Sequence, residues 1–215
     1  MKNKTMIRMI RQDAEGKKSI VSFDGGNRYA GNPMYGAVQQ MQEAVENIRR
    51  EGGKVLAAYK YVGGIRHEIK AETSQEAQDR ENWETCKRIA EEVEAYAEGR
   101  IYKCPECGAV HDLTGFDGDT YKCSECETVH DPFYLEQLGL WDYMDDVLDI
   151  EYRVSGRMEL RSVQVMVACG GPNIYIDTGA RAVQLFWWSD RAEYPLLGSV
   201  CGLIDEWAEQ IFECR

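Results

Sequence analysis

The chain has 215 residues, 44% hydrophobic and 29% charged, with 37 acidic against 25 basic side chains and a net charge of −12. This composition fits one globular domain, or one domain with a small insert, and excludes disordered and fibrous chains. No apolar run approaches the roughly 18–20 residues of a membrane span, and Ile7-Arg8-Met9-Ile10-Arg11 near the start is no apolar signal core. The expected location is cytoplasmic, with no membrane contact.

In chain order, Lys17 to Phe23 reads as a strand that Asp24-Gly25-Gly26-Asn27 ends. Asn32 and Pro33 open a helix in which Met34, Val38, Met41, Val45 and Ile48 recur at helical spacing until Gly52-Gly53. Val55 to Tyr61 and Ile65 to Ala71 flank Gly63-Gly64 as a hairpin. Thr73 and Glu76 form a capping box for a long charged helix that runs through Cys86, Ile89 and Val93 to Gly99. Pro132 to about Leu148 reads as a third helix despite Gly139.

The last third is β-rich. Glu151 to Val154, Leu160 to Ala168, Asn173 to Asp177 and Ala182 to Trp188 are separated by glycine-containing breaks and predict an antiparallel meander. Val200, Leu203, Ile204, Trp207, Ile211 and Phe212 give a C-terminal helix an apolar face to lay on that sheet. The expected fold class is α+β: a β-meander with packed helices and an inserted four-cysteine zinc ribbon. The expected segments are 1–100, 101–132 and 133–215.

The chemical signal is the cysteine spacing. Cys104-x2-Cys107 and Cys123-x2-Cys126 are fifteen residues apart, within the window for a four-cysteine metal site. The segment repeats itself: residues 102–112 (YKCPECGAVHD) and 121–131 (YKCSECETVHD) agree at eight of eleven positions, as two knuckles facing one metal should. Over residues 101–132 the chain resembles the zinc-ribbon class with rubredoxin-like knuckles, and that resemblance implies a small three-stranded zinc-stapled module. Four cysteines close a tetrahedron, so the expected cofactor is structural zinc, with iron the alternative on sulfur chemistry. His111 and His130 are the rival ligands, and their matched places in the repeat put them on the strands leaving the knuckles. The other four cysteines are scattered singly, a pattern of a reducing compartment.

Other motifs have structural explanations. Cys169-Gly170-Gly171-Pro172-Asn173 offers a thiol beside exposed backbone N–H groups, but Val163, Val165 and Val167 alternate into it and Ile174 and Ile176 out of it, which makes it a hairpin turn. His67-Glu68 lacks the second histidine of a zinc-protease helix. Phe186-Trp187-Trp188 is divided between core and an exposed face that can serve as a protein-binding hot spot. No enzyme activity is expected.

Charge is segregated. Residues 101–151 carry thirteen acidic residues against Lys103 and Lys122, a net of −11, whereas Lys2, Lys4, Arg8, Arg11, Lys17 and Lys18 open the chain against Asp13 and Glu15. Zinc ribbons that touch nucleic acid do so with basic surface, and this one has the opposite sign. An acidic surface beside a rigid turn suits docking on a basic protein surface, through Asp142, Asp145, Asp146 and Asp149 with Asp117 and Asp119. With the Ala168-to-Ile174 hairpin and the Asp24-Gly25-Gly26-Asn27 opening, the chain is similar in style to accessory proteins of phages and integrative elements, among them anti-CRISPR and antirestriction inhibitors. The resemblance implies an inhibitor that binds a host nuclease or another nucleic-acid-handling protein. The alternative is a DNA-binding or transcription-associated zinc-ribbon regulator whose basic N-terminus meets phosphate.

Overall fold

Alternation in Ile7–Gln12 (β1) puts Ile7 and Met9 on one face of a strand and Arg8 and Ile10 on the other. The computed structural model describes residues 6–24, 33–62 and 65–214, so Gly25 to Asn32 and Gly63-Gly64 lie outside the described residues. The chain folds as two compact units, Met1–Arg80 and Glu81–Arg215.

In the first unit, β1 joins β2 (Lys18–Phe23), β3 (Lys54–Val62) and β4 (Ile65–Ile69) in an antiparallel sheet of order β2-β1-β3-β4. Helix α1 (Pro33–Arg50) covers one face, where Ala37, Met41, Val45 and Ile48 pack on Ile7, Met9, Phe23 and Ala58. The sequence pattern predicts β2, α1 and the β3–β4 hairpin, but marks β1 only as a basic stretch. Arg8 and Arg11 mask its alternation, which becomes legible once β2 and β3 flank it.

Helix α2 (Ser74–Ala97) starts with the expected capping box: the Glu76 N–H donates to Thr73 Oγ1 (3.2 Å), and the Thr73 N–H to the Glu76 carboxylate (2.9 Å). It runs from the first unit into the second. There follow the short strands β5 (Ile101–Lys103), β6 (Val110–Asp112), β7 (Tyr121–Lys122), β8 (Val129–His130) and β9 (Glu136–Leu138), then α3 (Leu140–Met144).

The helix expected over Pro132 to Leu148 is not formed. Pro132–Tyr134 is a single 3-10 turn capped by Asp131, Glu136–Leu138 is a strand, and the helix is confined to Leu140–Met144. Pairing decides this. The free edge of β5 takes β9 in register Ile101↔Leu138 and Lys103↔Glu136, and Asp142 then accepts the Gly139 N–H at 2.7 Å to start the helix after the glycine. The ribbon is a three-stranded sheet, β6-β5-β9, plus the two-stranded β7-β8, and its third strand lies beyond residue 132.

The meander has five antiparallel strands in chain order: β10 (Asp149–Val154), β11 (Leu160–Ala168), β12 (Asn173–Asp177), β13 (Ala182–Trp187) and β14 (Asp190–Pro195). The last is absent from the sequence reading. Its charged residues and closing proline are those of a sheet edge protected against further pairing, and they hide its strand character. Inward residues Val163, Val165, Ile174, Ile176, Val183 and Leu185 form one core with Cys86, Ile89 and Val93 of α2 and with α4 (Gly198–Glu213). Helix α4 contributes Val200, Ile204 and Trp207, whereas Leu203, expected on the same face, is 41% exposed.

The β12–β13 turn ties the sheet to α4. Asp177, 3% exposed, accepts from Arg153 Nη1 and Nη2 at 2.8 and 2.7 Å and from the Ala180 N–H at 2.9 Å. Thr178 Oγ1 accepts the Val163 N–H (2.9 Å) and donates to Asp205 of α4 (2.6 Å). Gly179 leaves room there, since a Cβ would lie 2.9 Å from Ser162 Oγ and 3.1 Å from Arg153 Nη1 and would crowd the groups that hold Asp177. Burial alone would raise the Asp177 pKa, but Arg153 and the N–H groups of Ala180 and Gly179 hold it below the ordinary 3.8. A depressed carboxyl contributes stability that is present above its unfolded pKa and lost as pH falls through its folded one. Asp177→Asn is expected to cost about 3 kcal/mol in chemical denaturation at neutral pH, the low end for a buried pair because Arg153 keeps 42% of its side chain exposed. The cost should shrink as acid protonates the wild-type carboxyl, and a pH-independent difference would show that the ion pair is not its source.

Candidate metal centre

Each knuckle is a tight turn closed by its own backbone. In the first, the Gly108 N–H donates to the Cys104 carbonyl (2.9 Å) and the Cys104 N–H to that of Ala109 (2.8 Å). In the second, Glu127 N–H to Cys123 carbonyl (3.0 Å) and Cys123 N–H to Thr128 carbonyl (2.9 Å) repeat the pattern. The matched turn residues are left-handed, Gly108 at φ 73° and Glu127 at φ 58°. Glycine adopts this conformation freely, and glutamate only against steric resistance that the turn must overcome.

The two turns bring Cys104, Cys107, Cys123 and Cys126 together, with all four sulfurs within 4.8 Å of one another. Cys104–Cys126 is 3.8 Å and Cys107–Cys123 is 3.7 Å. A tetrahedron with metal–sulfur bonds of about 2.3 Å has edges of about 3.8 Å, whereas a disulfide needs about 2.05 Å. The donors therefore fit a tetrahedral thiolate-bound ion. Proton sharing points the same way. Hydrogen bonds from the Thr128 hydroxyl and N–H draw Cys126 down to about 6. Against the favourable Ala109 N–H, desolvation and the three neighbouring sulfurs push Cys107 up to about 12. Four clustered sulfurs cannot all ionise by themselves, and a divalent cation removes that conflict.

His111 and His130 each reach a sulfur of the opposite knuckle. His111 leaves the first knuckle on β6 and brings Nε2 to 3.3 Å from Cys123 of the second; His130 leaves the second on β8 and brings Nε2 to 3.3 Å from Cys104 of the first. The exchange is reciprocal and involves the two buried sulfurs. A metal-bound thiolate has no proton, so with a metal on the sulfurs the imidazole N–H would be the donor in each pair. The internal repeat was the signal: its Val-His-Asp ending is identical in both halves, although sequence alone does not show the crossing.

The six aspartates expected to meet a partner do not form one group. Asp142 and Asp146, with Glu92 of α2, line a cavity of about 200 Å³ alongside Tyr96 and Tyr143. Asp145 is exposed beside them, and Asp149 opens β10, where its carboxylate accepts the Ile150 N–H (2.9 Å). Asp117 and Asp119 are exposed on the loop between the knuckles and line no part of that cavity. Glu92, from a helix more than forty residues earlier, was missed because only the tertiary fold places it there. Cys169 is exposed in the β11–β12 turn, where Gly170 has φ 83°, as a hairpin requires. Among the described residues no helix is long and apolar enough to cross a membrane.

Comparison with protein-family models, with curated proteins and with solved structures finds no match for this chain, so function has to be argued from its own residues.

Cys104→Ser is expected to abolish tight binding of Co²⁺ or Zn²⁺ by the purified protein, followed by the sulfur-to-cobalt charge-transfer band. His111→Phe and His130→Phe are each expected to shift that band and weaken metal binding by about 10–100-fold. His111→Gln, which retains a donor, should stay near wild type. An unmoved band in both Phe variants would show that the rings only fill space.

Proposed function

We propose that this chain is an interaction protein whose four-cysteine centre holds a structural zinc ion, and whose acidic second unit docks on the basic surface of a nucleic-acid-handling protein. The occupant that fits best is an RNA-guided or restriction nuclease, inhibited by occlusion of the channel that takes its nucleic acid. Zinc suits the centre because it is redox-inert and tetrahedral in four-thiolate sites, which makes it a staple. The expected analysis is one zinc per chain, and stoichiometric iron would overturn that assignment.

The supporting observation is charge that the fold does not use. Residues 81–215 hold twenty-seven acidic residues against eleven basic ones, a net of −16. Several cations of this unit pair with other carboxylates: Arg100 with Glu98 and Asp112, Arg153 with Asp177, Arg161 with Glu159. Among the described residues no ion pair engages Asp117, Asp119, Asp142, Asp145, Asp146 or Asp149. Exposed carboxylates of one sign raise the rate of encounter with a positive partner by about 10–1,000-fold at low salt.

The test titrates the full chain against a panel of RNA-guided and restriction nucleases in cleavage assays. Inhibition of at least one is expected. A variant with Asp142, Asp145, Asp146 and Asp149 all changed to Asn should associate about tenfold more slowly at low salt and converge on wild type at high salt. Equal association rates at low salt would remove the electrostatic mechanism, and no inhibition across the panel would remove the nuclease assignment.

A further inference from the structure

The first unit carries an opposite surface. Its eighty residues hold fourteen basic against ten acidic side chains, a net of +4 within a chain of −12. Helix α1 covers one face of the β2-β1-β3-β4 sheet, and register places a different set of side chains on the other. Arg8 lies opposite Tyr59 and Ser22, Tyr59 opposite Glu68, Tyr61 opposite Arg66, and Gln12 opposite Lys18 and Lys54. This open face therefore presents four cations, Arg8, Lys18, Lys54 and Arg66, against one carboxylate.

The two tyrosines stand on β3, a central strand, about 6.8 Å apart as i and i+2 neighbours. Arginines cross to them diagonally: the Arg8 guanidinium carbon is 5.4 Å from the Tyr61 ring centre and that of Arg66 is 4.6 Å from the Tyr59 ring centre. Ile20, 67% exposed, and Ile10 opposite it extend the apolar part onto β2 and β1. Scattered surface lysines would not give this arrangement, in which aromatic rings alternate with guanidinium groups over a four-stranded face.

We infer that the open face of this sheet binds single-stranded nucleic acid, with bases stacked on Tyr59 and Tyr61 and phosphates met by Arg8, Arg66, Lys18 and Lys54. The charge is complementary to a phosphate backbone and the rings to unpaired bases, the two requirements of a single-strand platform. Four-stranded antiparallel sheets with aromatic residues on central strands bind RNA in this way. A duplex hides the faces of its bases and offers the rings nothing to stack on. This binding does not depend on what the acidic second unit docks against.

The experiment uses the full chain and short fluorescein-labelled oligo-dT and oligo-U, read by anisotropy at two salt concentrations. Salt-sensitive binding to at least one strand is expected, with the matching duplex bound more weakly. Tyr59→Ala and Tyr61→Ala should each weaken it by about tenfold, whereas Tyr59→Phe with Tyr61→Phe keeps both rings and should bind like wild type. Arg8→Gln with Arg66→Gln should make the salt dependence shallower by about 1.4 in the log–log slope, about 0.7 for each phosphate no longer neutralised. Circular dichroism of each variant separates lost binding from lost folding. No binding by wild type, binding indifferent to the tyrosines, equal affinity for duplex, or full displacement by polyglutamate at matched charge would each overturn the proposal.

Discussion

Four sulfurs within 4.8 Å of one another, two pairs of them at 3.7 and 3.8 Å, repel once ionised, and the two knuckles form a geometry that a cation would relieve. Strands of two and three residues bury almost nothing, and a segment of about thirty residues cannot build a core large enough to fold by itself. What fixes the knuckles is the metal-binding tetrahedron together with the reciprocal histidine–sulfur pairs. Once the first knuckle is set, β5 has a free edge. Pairing of that edge with β9 then determines where α3 begins and how the chain enters the meander.

The meander is held by different physics. Its strands alternate, its inward aliphatic side chains meet α2 and α4, and hydrophobic burial provides the driving force. Polar groups organise the interior at the β12–β13 turn, where Asp177 and Thr178 satisfy Arg153, the Val163 backbone and Asp205 together. Those hydrogen bonds add a directional constraint on where α4 lies on the sheet, beyond the packing of Val200, Ile204 and Trp207.

How much of this was legible in the sequence depended on whether the signal was local. Cys104, Cys107, Cys123 and Cys126 were identifiable because metal chemistry fixes their spacing, and β11 to β13 because their apolar residues alternate between glycine-containing turns. Three strands were not. In β1 Arg8 and Arg11 fall on opposite faces, with Ile10 on the outward one, and obscure the period; in β14 Arg191 and Glu193 take outward positions; and β9 is three residues whose state is set by the neighbour they pair with. The helix expected from Pro132 to Leu148 failed for that reason: local propensity favoured helix, and an unpaired strand edge outweighed it. The acidic surface was visible as composition, whereas its division into a cavity-lining group and a loop group depended on α2, which brings Glu92 to Asp142 and Asp146.

The electrostatics of the ribbon clarify why the acidic residues face outward. A divalent ion on four thiolates leaves a net charge of about −2 inside a unit already at −16, so the centre itself needs positive or donating groups. The repeat supplies them twice over. Lys103 and Lys122, the two basic residues among thirteen acidic ones in residues 101–151, each directly precede the first cysteine of a knuckle, and His111 and His130 place an imidazole nitrogen against the buried sulfurs from matched positions, where they would donate to metal-bound thiolates. Both lysines pair with exposed glutamates, Lys103 with Glu136 at 3.8 Å and Lys122 with Glu127 at 3.5 Å, while the aspartates of the inter-knuckle loop and of α3 have no ion-pair partner among the described residues. A fold under pressure only to reduce self-repulsion would have paired those aspartates with lysines of its own. Instead the lysines and arginines pair with other carboxylates, Lys103 with Glu136, Lys122 with Glu127 and Arg153 with the buried Asp177, and the aspartates of the loop and of α3 keep their charge in solvent.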